Sequence, residues 1–516
     1  MIMDALQSLW AGCLQMLNPY DLAIIMLGSM VGTVVGALPG LGPSAGLALM
    51  IPLTFTMDAN AGLSLLVGVY MGCMFGGRIT SILINTPGDA PAIMTCQDGY
   101  PLMCQGRGGF ALGLSAISSF VGGACGLLVL IFLAPVITPL VINFGAPEYF
   151  MLLLLGLCTI ALLAGDSMLK AIFMTAFGFL IGLVGCDFIS GYTRFCYVPD
   201  LLEGIEFVVV IMGMYGIGEV LNNVEHQTHL DLGKPNFKMS EYIPSFKELK
   251  ESAGSIVRGS VIGTVIGILP AAGGTVATFL SYATEKKIAK DPNKFGHGDP
   301  RGLAAPEAAN NASVGGALVP LITLGIPGSG GTAIMLGVLI MFGMRPGPLL
   351  MAESGDIVWA MIAALCIANV FLLLSNLLMI PVFVNTIRLV EKNLSMLVLA
   401  LCCVGAYALN YNYFNVWLML IFGLFGYIVK KFKMPAGPLI LSVVLAPSLE
   451  SYFRQALMIS KGSYSIFVTR PVSLVILIII VGLFAYGVIS KQMKKKKAAA
   501  PAASEAAAED DNDDKE

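Results

Sequence analysis

The chain has 516 residues, of which 57% are apolar and only 12% charged, against roughly 25% charged in a soluble domain. With a mean hydropathy of +0.83, this composition excludes a disordered chain, collagen, a coiled coil and a disulfide-stapled secreted scaffold, and indicates an integral membrane protein. The formal net charge of −3 is set by the acidic end: Glu505, Glu509, Asp510, Asp511, Asp513, Asp514 and Glu516 against Lys515 contribute −6, leaving the rest at +3. Nucleic acid is therefore not expected as a partner.

Residues 1–20 alternate apolar and polar side chains at helical spacing, with neither a basic n-region nor an A-x-A cleavage site. They predict an interfacial helix rather than a removable signal peptide. Apolar runs of the length needed to cross about 30 Å of hydrocarbon follow at 21–56, 60–86, 108–141, 146–164, 168–188, 201–221, 255–284, 305–341, 355–384, 393–409, 412–429, 434–449 and 470–490. The first is too long for one straight helix and is interrupted by Pro39-Gly40-Leu41-Gly42-Pro43. Similar breaks fall at Thr86 to Pro91, at Pro270 to Gly274 and at Ile326 to Gly331. Proline removes an amide donor and glycine weakens a helix, so these breaks free backbone polar groups at membrane depth. Such groups must be buried in protein or line a watery cavity.

The breaks are duplicated. Residues 28–44 align without gaps to residues 259–275, 231 positions on, with nine identities: Gly28, Ser29, Gly32, Thr33, Val34, Gly36, Leu38, Pro39 and Gly42. Glycines four apart place a smooth ridge on one helix face, where another helix can approach closely. Pro87-Gly88 recurs as Pro327-Gly328, and Ala92-Ile93-Met94 as Ala333-Ile334-Met335. Lys and Arg collect in Lys491–Lys497, in Lys430-Lys431-Phe432-Lys433, in a connection bearing Arg388 and Lys392, and in the linker with Lys234, Lys238, Lys247 and Lys250. These read as cytoplasmic, although the connections bearing Arg454, Lys461 and Arg470 then fall outside. Counting spans back from a cytoplasmic C-terminus turns the two halves upside down relative to one another.

The expected fold is an all-α polytopic membrane protein of about 12 transmembrane segments in two inverted repeats, with discontinuous or re-entrant helices broken at Gly/Pro motifs. The division is 1–222 (interfacial helix, then the first repeat), 223–254 (cytoplasmic linker), 255–449 (second repeat), 450–490 (an extra transmembrane helix) and 491–516 (a polybasic, then acidic, disordered tail). A half-helix that begins inside the membrane aims unpaired amides and partial positive charge at the cavity, which favours anions, while facing carbonyls coordinate a cation. The expected substrate-binding set is Pro39, Gly40, Gly42, Ser44, Asn85, Thr86, Gly88, Pro270, Gly273, Gly274, Thr275, Pro327, Gly328, Ser329 and Thr332. Arg78 joins it as a bidentate carboxylate clamp, with snorkelling to the interface as its plain alternative. Asp89, Asn310 and Asn311 are the ion-coupling candidates; Asp89 serves equally as a helix cap. Glu307 is a further intramembrane acid whose plain role is capping.

Other motifs lead nowhere. Gly42-Pro43-Ser44-Ala45-Gly46 matches G-x-S-x-G without the strand or the histidine that an elbow needs. Gly40-Leu41-Gly42 lacks a βαβ context, and there is no P-loop lysine. The 11 cysteines are scattered without a CxxC pair, and His226, His229 and His297 lie in polar connections, so no structural metal or cofactor is expected beyond a coupling sodium ion or proton.

The stretches GALPGLGPSAGLALMIPLTF (36–55), YMGCMFGGRITSILINTPGDAPAIMTCQDGYPL (70–102), PEYFMLLLLGL (147–157), GILPAAGGTVATFLSYATEKK (267–287) and PEAANNASVGGALVPLITLGIPGSGGTAIMLG (306–337) resemble the large membrane (TctA-like) permease subunit of the tripartite tricarboxylate transporter family. The resemblance covers roughly 20–490. It implies a multi-pass protein of the bacterial inner membrane, a secondary carrier for carboxylates such as citrate. It also implies a small four-span membrane subunit and a periplasmic solute-binding protein as partners, with uptake driven by a cation gradient. The alternatives are a channel or exporter for organic anions, or an intramembrane enzyme, which the absence of any intramembrane histidine disfavours.

Overall fold

The computed structural model describes residues 2–38, 41–141, 144–163, 167–187, 190–225, 239–269, 273–483 and 485. Pro39, Gly40 and Pro270, most of the linker, and the charged tail lie outside the described residues. The first half contains α1 (Ile2–Met16), α2 (Pro19–Ala37), α3 (Gly42–Thr54), α4 (Ala59–Ile84), α5 (Ile93–Cys104), α6 (Gly108–Val141), α7 (Ala146–Leu163) and α8 (Met168–Gly182). A short antiparallel ladder, β1 (Gly185–Cys186) with β2 (Thr193–Arg194), precedes α9 (Phe207–Ile211) and α10 (Gly218–Glu225), which a π-helical turn joins. The second half contains α11 (Phe246–Ile268), α12 (Gly273–Ile288), α13 (Pro300–Leu324), α14 (Gly330–Met341), α15 (Pro348–Glu353), α16 (Gly355–Leu378), α17 (Ile380–Ala408), α18 (Tyr413–Lys431), α19 (Ala436–Ile459) and α20 (Ile466–Thr469). A last apolar helix, α21, runs over Pro471–Leu483. Among the described residues six helices (α2, α4, α6, α16, α18 and α19) are long and apolar enough to cross a membrane, beside shorter apolar ones.

The glycine ridges decide how the long helices pack. In α2, a Cβ on Gly28, Gly32 or Gly36 would lie 2.2–2.4 Å from the carbonyl oxygens of Leu65, Val69 and Cys73 in α4. In α11, a Cβ on Gly259, Gly263 or Gly267 would lie 2.2–2.6 Å from those of Ala305, Ala309 and Ser313 in α13. Each ridge thus lets two backbones touch, and the numbers rise together along both helices, so α2 is parallel to α4 and α11 to α13. Contacts run the other way for α3: Gly46 abuts Cys73 and Val69, and Thr54 lies level with Gly62. Glu285 near the end of α12 likewise returns to Ser255 and Arg258 of α11. The apolar runs 21–56 and 255–284 are therefore hairpins that enter and leave by one face rather than crossings.

The ends of these helices gather at two opposite faces. At the near face, Asp98 of α5 accepts backbone N–H bonds from Gly296, Gly298 and Asp299 just before α13, and Arg107 before α6 pairs with Glu248 of α11. At the far face, Gly62 at the start of α4 abuts Phe342 just after α14. So α4 runs from far to near and α13 from near to far, crossing where the Asn310 amide donates to the Met74 carbonyl at 3.3 Å. One face of α1 packs on α16 through Gly12 and Trp359, while Met3, Leu6, Trp10 and Leu14 are exposed, the arrangement of an interfacial helix.

One expectation is corrected. The connection placed at Arg388 and Lys392 is uninterrupted helix within α17, and the chain breaks instead at Met379. Proline is well accommodated in a helix's first turn, so Pro381 starts α17 rather than ending α16. The half-helix that the reading of Asp89 as a cap calls for is α5, which fills most of the interval between 86 and 108. Its Gln97 and Asp98 interrupt the apolar pattern, and Asp98 is buried by the loop that it ties down.

The ridges yield a stability test. Gly32→Val and Gly263→Val should each destabilise the protein by about 3 kcal/mol, read as earlier thermal unfolding in detergent. Gly437→Ala, where an added Cβ meets nothing within 4 Å, should change stability by no more than about 0.5 kcal/mol.

Candidate substrate cavity

All four breaks meet around one cavity of about 630 Å³. Its wall takes residues 41–45 between α2 and α3, residues 87–91 between α4 and α5, residues 273–275 at the start of α12, and residues 329–331 at the start of α14. Tyr70 and Met74 of α4, Met214, Tyr215 and Glu219 on the segment from α9 to α10, and Lys430 of α18 complete the lining used below. Helices α3, α5, α12 and α14 thus all begin at this space. Their N-terminal ends direct four partial positive charges to it.

The local backbone explains the duplicated residues. Gly42 and Gly273 have φ of +54° and +57°, a region that favours glycine. Asn85 and Gly325, 240 positions apart, end α4 and α13 in the left-handed conformation. A Cβ on Gly88 would lie 2.0 Å from the Gly36 carbonyl oxygen, and one on Gly328 would lie 2.7 Å from that of Gly267. Each Pro-Gly break is therefore pressed onto the hairpin of its own half. Caps repeat as well: Asp89 accepts from the Ala92 amide at 3.1 Å, and Ser329 accepts from the Thr332 amide at 3.2 Å. The Thr332 hydroxyl answers by accepting from the Ser329 amide at 2.8 Å, closing a capping box.

The side chains around the cavity are of two kinds. The Tyr70 and Ser329 hydroxyls are 2.9 Å apart, Tyr215 partners Ser44, and Gly330 lies against the Ser44 hydroxyl. This is a neutral cluster of four hydroxyls. Asp89, which lies against Gly42, has a buried Oδ2 without a hydrogen-bond partner. The side chain of Asn310 is buried against Gly274, and its Oδ1 is also unpartnered.

Of the residues expected from sequence, Gly42, Ser44, Gly88, Asp89, Gly273, Gly274, Thr275 and Ser329 come together in the wall. Pro39, Gly40 and Pro270 lie outside the described residues. Asn85 and Thr86 sit at the end of α4, away from the wall, and Pro327, Gly328 and Thr332 hold the breaks from behind. Arg78 neither clamps the cavity nor snorkels: it is 1% exposed, donating to the Leu112 carbonyl at 2.7 Å, the Ser115 hydroxyl at 2.6 Å and Asn376 Oδ1 at 2.8 Å. Glu307, one helix away, accepts from Thr95 and from Ser119. Asn311 donates to the Glu307 carbonyl at 3.2 Å, and it lies behind the wall. Tyr70, Tyr215 and Glu219 are not among the residues expected from sequence, and Lys430 is read there only as part of a cytoplasmic basic run. For Tyr70 a signal existed, since it stands 240 positions before Asn310, the offset that relates the second breaks.

A second cavity of about 560 Å³ opens at the far face, lined by the end of α8, the 184–187 and 202–206 segments, and α19; Asp187, Arg194 and Glu450 are among its charged residues.

The chain matches the Tripartite tricarboxylate transporter TctA family over residues 22–441. An uncharacterized 52.8 kDa protein in the TAR-I ttuC' 3' region of Agrobacterium vitis is 36% identical to it over 473 residues, 92% of this chain and 94% of that protein. An uncharacterized protein in the TAR-II ttuC' 3' region of the same organism is 36% identical over 211 residues, 41% of this chain and 87% of that protein.

Ser329 ties the cap of α14 to Tyr70. Ser329→Ala should lower stability by about 1 kcal/mol, whereas Ser329→Thr, which keeps the hydroxyl, should lose less; thermal unfolding of the purified variants measures both.

Proposed function

Because the chain belongs to the tripartite tricarboxylate transporter TctA family, we propose that it is the permease subunit of a binding-protein-dependent secondary carrier. In this reading it imports citrate-like tricarboxylates and dicarboxylates by alternating access, driven by a sodium gradient. The family is one of transporters rather than enzymes, and the chain is a multi-pass membrane protein. The observation that carries the reading is the convergence of four helix N-termini on one cavity, a concentration of positive dipole ends suited to an anion with several carboxylates.

The chemistry divides as the side chains do. Carboxylate oxygens accept from the amides at Gly42, Gly273 and Gly330 and from the hydroxyls of Ser44, Tyr70, Tyr215 and Ser329. The sodium ion takes oxygen ligands from Asp89, Asn310 and nearby carbonyls, in keeping with a hard cation. Asp89 thereby sets one negative charge beside a bound cation rather than beside the substrate. Binding each ligand lessens the repulsion or the unmet polarity that the other faces, which couples their occupancy.

Alternating access rests on two inverted repeats, centred on α2–α5 and α11–α14. Three observations support the inversion: the contact offsets of 231 and 240 residues, the opposite directions of α4 and α13, and the cavities toward opposite faces. The near face is cytoplasmic, since Arg107, Arg258, Lys286, Lys287, Arg301, Lys430 and Lys431 collect there. The plasma membrane of a bacterium, a small four-span subunit and a periplasmic binding protein complete the system.

The test is uptake of radiolabelled citrate into proteoliposomes holding this chain with the small subunit, and with cognate binding protein outside. Uptake is expected to need both the binding protein and an inward sodium gradient, and to saturate. Flux without saturation or binding-protein dependence would make it a channel, and a proton gradient that replaces sodium would reassign the coupling ion. Failure across a panel of di- and tricarboxylates would overturn the reading.

A further inference from the structure

The cavity wall contains one Lys or Arg among its described residues, Lys430, and that lysine is already engaged. Its Nζ donates to both carboxylate oxygens of Glu219, at 2.6 and 2.7 Å. The two partners are unequally placed: the Glu219 side chain is 10% exposed and the Lys430 side chain 42%. The acid is held inside the wall and the cation reaches toward the near-face mouth. Glu219 lies on α10 in the first half and Lys430 on α18 in the second, so the pair joins the halves across the mouth.

This arrangement is repeated. Glu450 stands 231 positions after Glu219, the offset of the first breaks, and lines the far-face cavity. There Arg194, from the other half, donates to both of its carboxylate oxygens at 2.7 and 2.8 Å, within a network in which Arg454 of α19 also pairs with Glu450 and Asp187 pairs with both arginines. An acid that lines the cavity and meets a cation of the other half is thus found at both mouths.

We propose that Lys430 is a substrate-carboxylate residue at the near-face mouth, held in reserve by Glu219, which competes with the substrate for it. The proposal rests on the carboxylate reading above. An ammonium has three donors, and Glu219 occupies it with two oxygens. An arriving carboxylate therefore exchanges one carboxylate for another at the same cation. The exchange leaves Glu219 in the wall without its cation, a cost that offsets much of the gain, so Lys430 can hold a substrate at the mouth without trapping it, which suits release. Glu219 is then a positioning residue that sets how much of the lysine's charge the substrate meets.

A bridge with a purely structural role and a competing pair predict different signs. In proteoliposomes of the chain with its small subunit, citrate counterflow is measured with the near face presented to labelled citrate. Glu219→Gln should lower the half-saturating citrate concentration, because the lysine is released to the substrate. Lys430→Gln should raise it about tenfold, the size of one charged hydrogen bond, and Lys430→Arg should stay near the unsubstituted protein. The double variant Glu219→Gln/Lys430→Gln should remain weak, although it carries no unpaired charge. Opposite shifts in the two single variants support the proposal. Shifts of the same sign, with the double variant restored to normal, would overturn it and leave a structural bridge. Absence of carboxylate counterflow in the unsubstituted protein would instead count against the carrier reading itself.

Discussion

Backbone-to-backbone contact along two glycine ridges is the constraint from which the rest of the architecture follows. Gly28, Gly32 and Gly36 let α2 lie against the carbonyls of α4, and Gly259, Gly263 and Gly267 do the same for α11 on α13. In a lipid solvent there is no hydrophobic drive between helices, so close packing of small residues carries much of the association. That closeness sets the height of each hairpin tip beside its long helix. Gly88 and Gly328 then press the second break of each half onto the tip of the first. Four helix starts meet at one level because two ridges put them there.

Charge at membrane depth is managed by the same crossing. Arg78 and Glu307 sit close to where α4 meets α13, and neither faces the cavity. Arg78 is bonded to α6 and α16, and Glu307 to α5 and α6. Since a buried ion is tolerated only with partners, these bonds make the contact between halves specific as well as close. The cavity is thereby left to neutral hydroxyls, amide dipoles, Asp89 and one cation that Glu219 already holds. A site built so can attract an anion without fixing a strong positive charge inside the membrane.

The two mouths extend this logic to the surface. Glu219 is held at the near face by Lys430, and Glu450 at the far face by Arg194 and Arg454, so each lining acid meets a cation of the other half. The α5 end, tied by Asp98 to the loop before α13, anchors the near face.

Composition, the breaks and their duplication could be read from the chain because each is a local property. A Pro-Gly pair interrupts a helix wherever it stands, and a φ near +55° favours glycine, as at positions 42 and 273. Eight of the expected site residues accordingly line the cavity. Pairing and direction are different in kind. Whether the run 21–56 crosses or turns back, whether Arg78 faces the cavity or the neighbouring helices, and which of Tyr70, Tyr215, Glu219 and Lys430 reach the wall all depend on which helix packs beside which. Those neighbours are hundreds of residues away, and apolar helices look alike from every side in hydropathy. Only the glycine-to-carbonyl contacts, which exist once the helices are packed, choose among them.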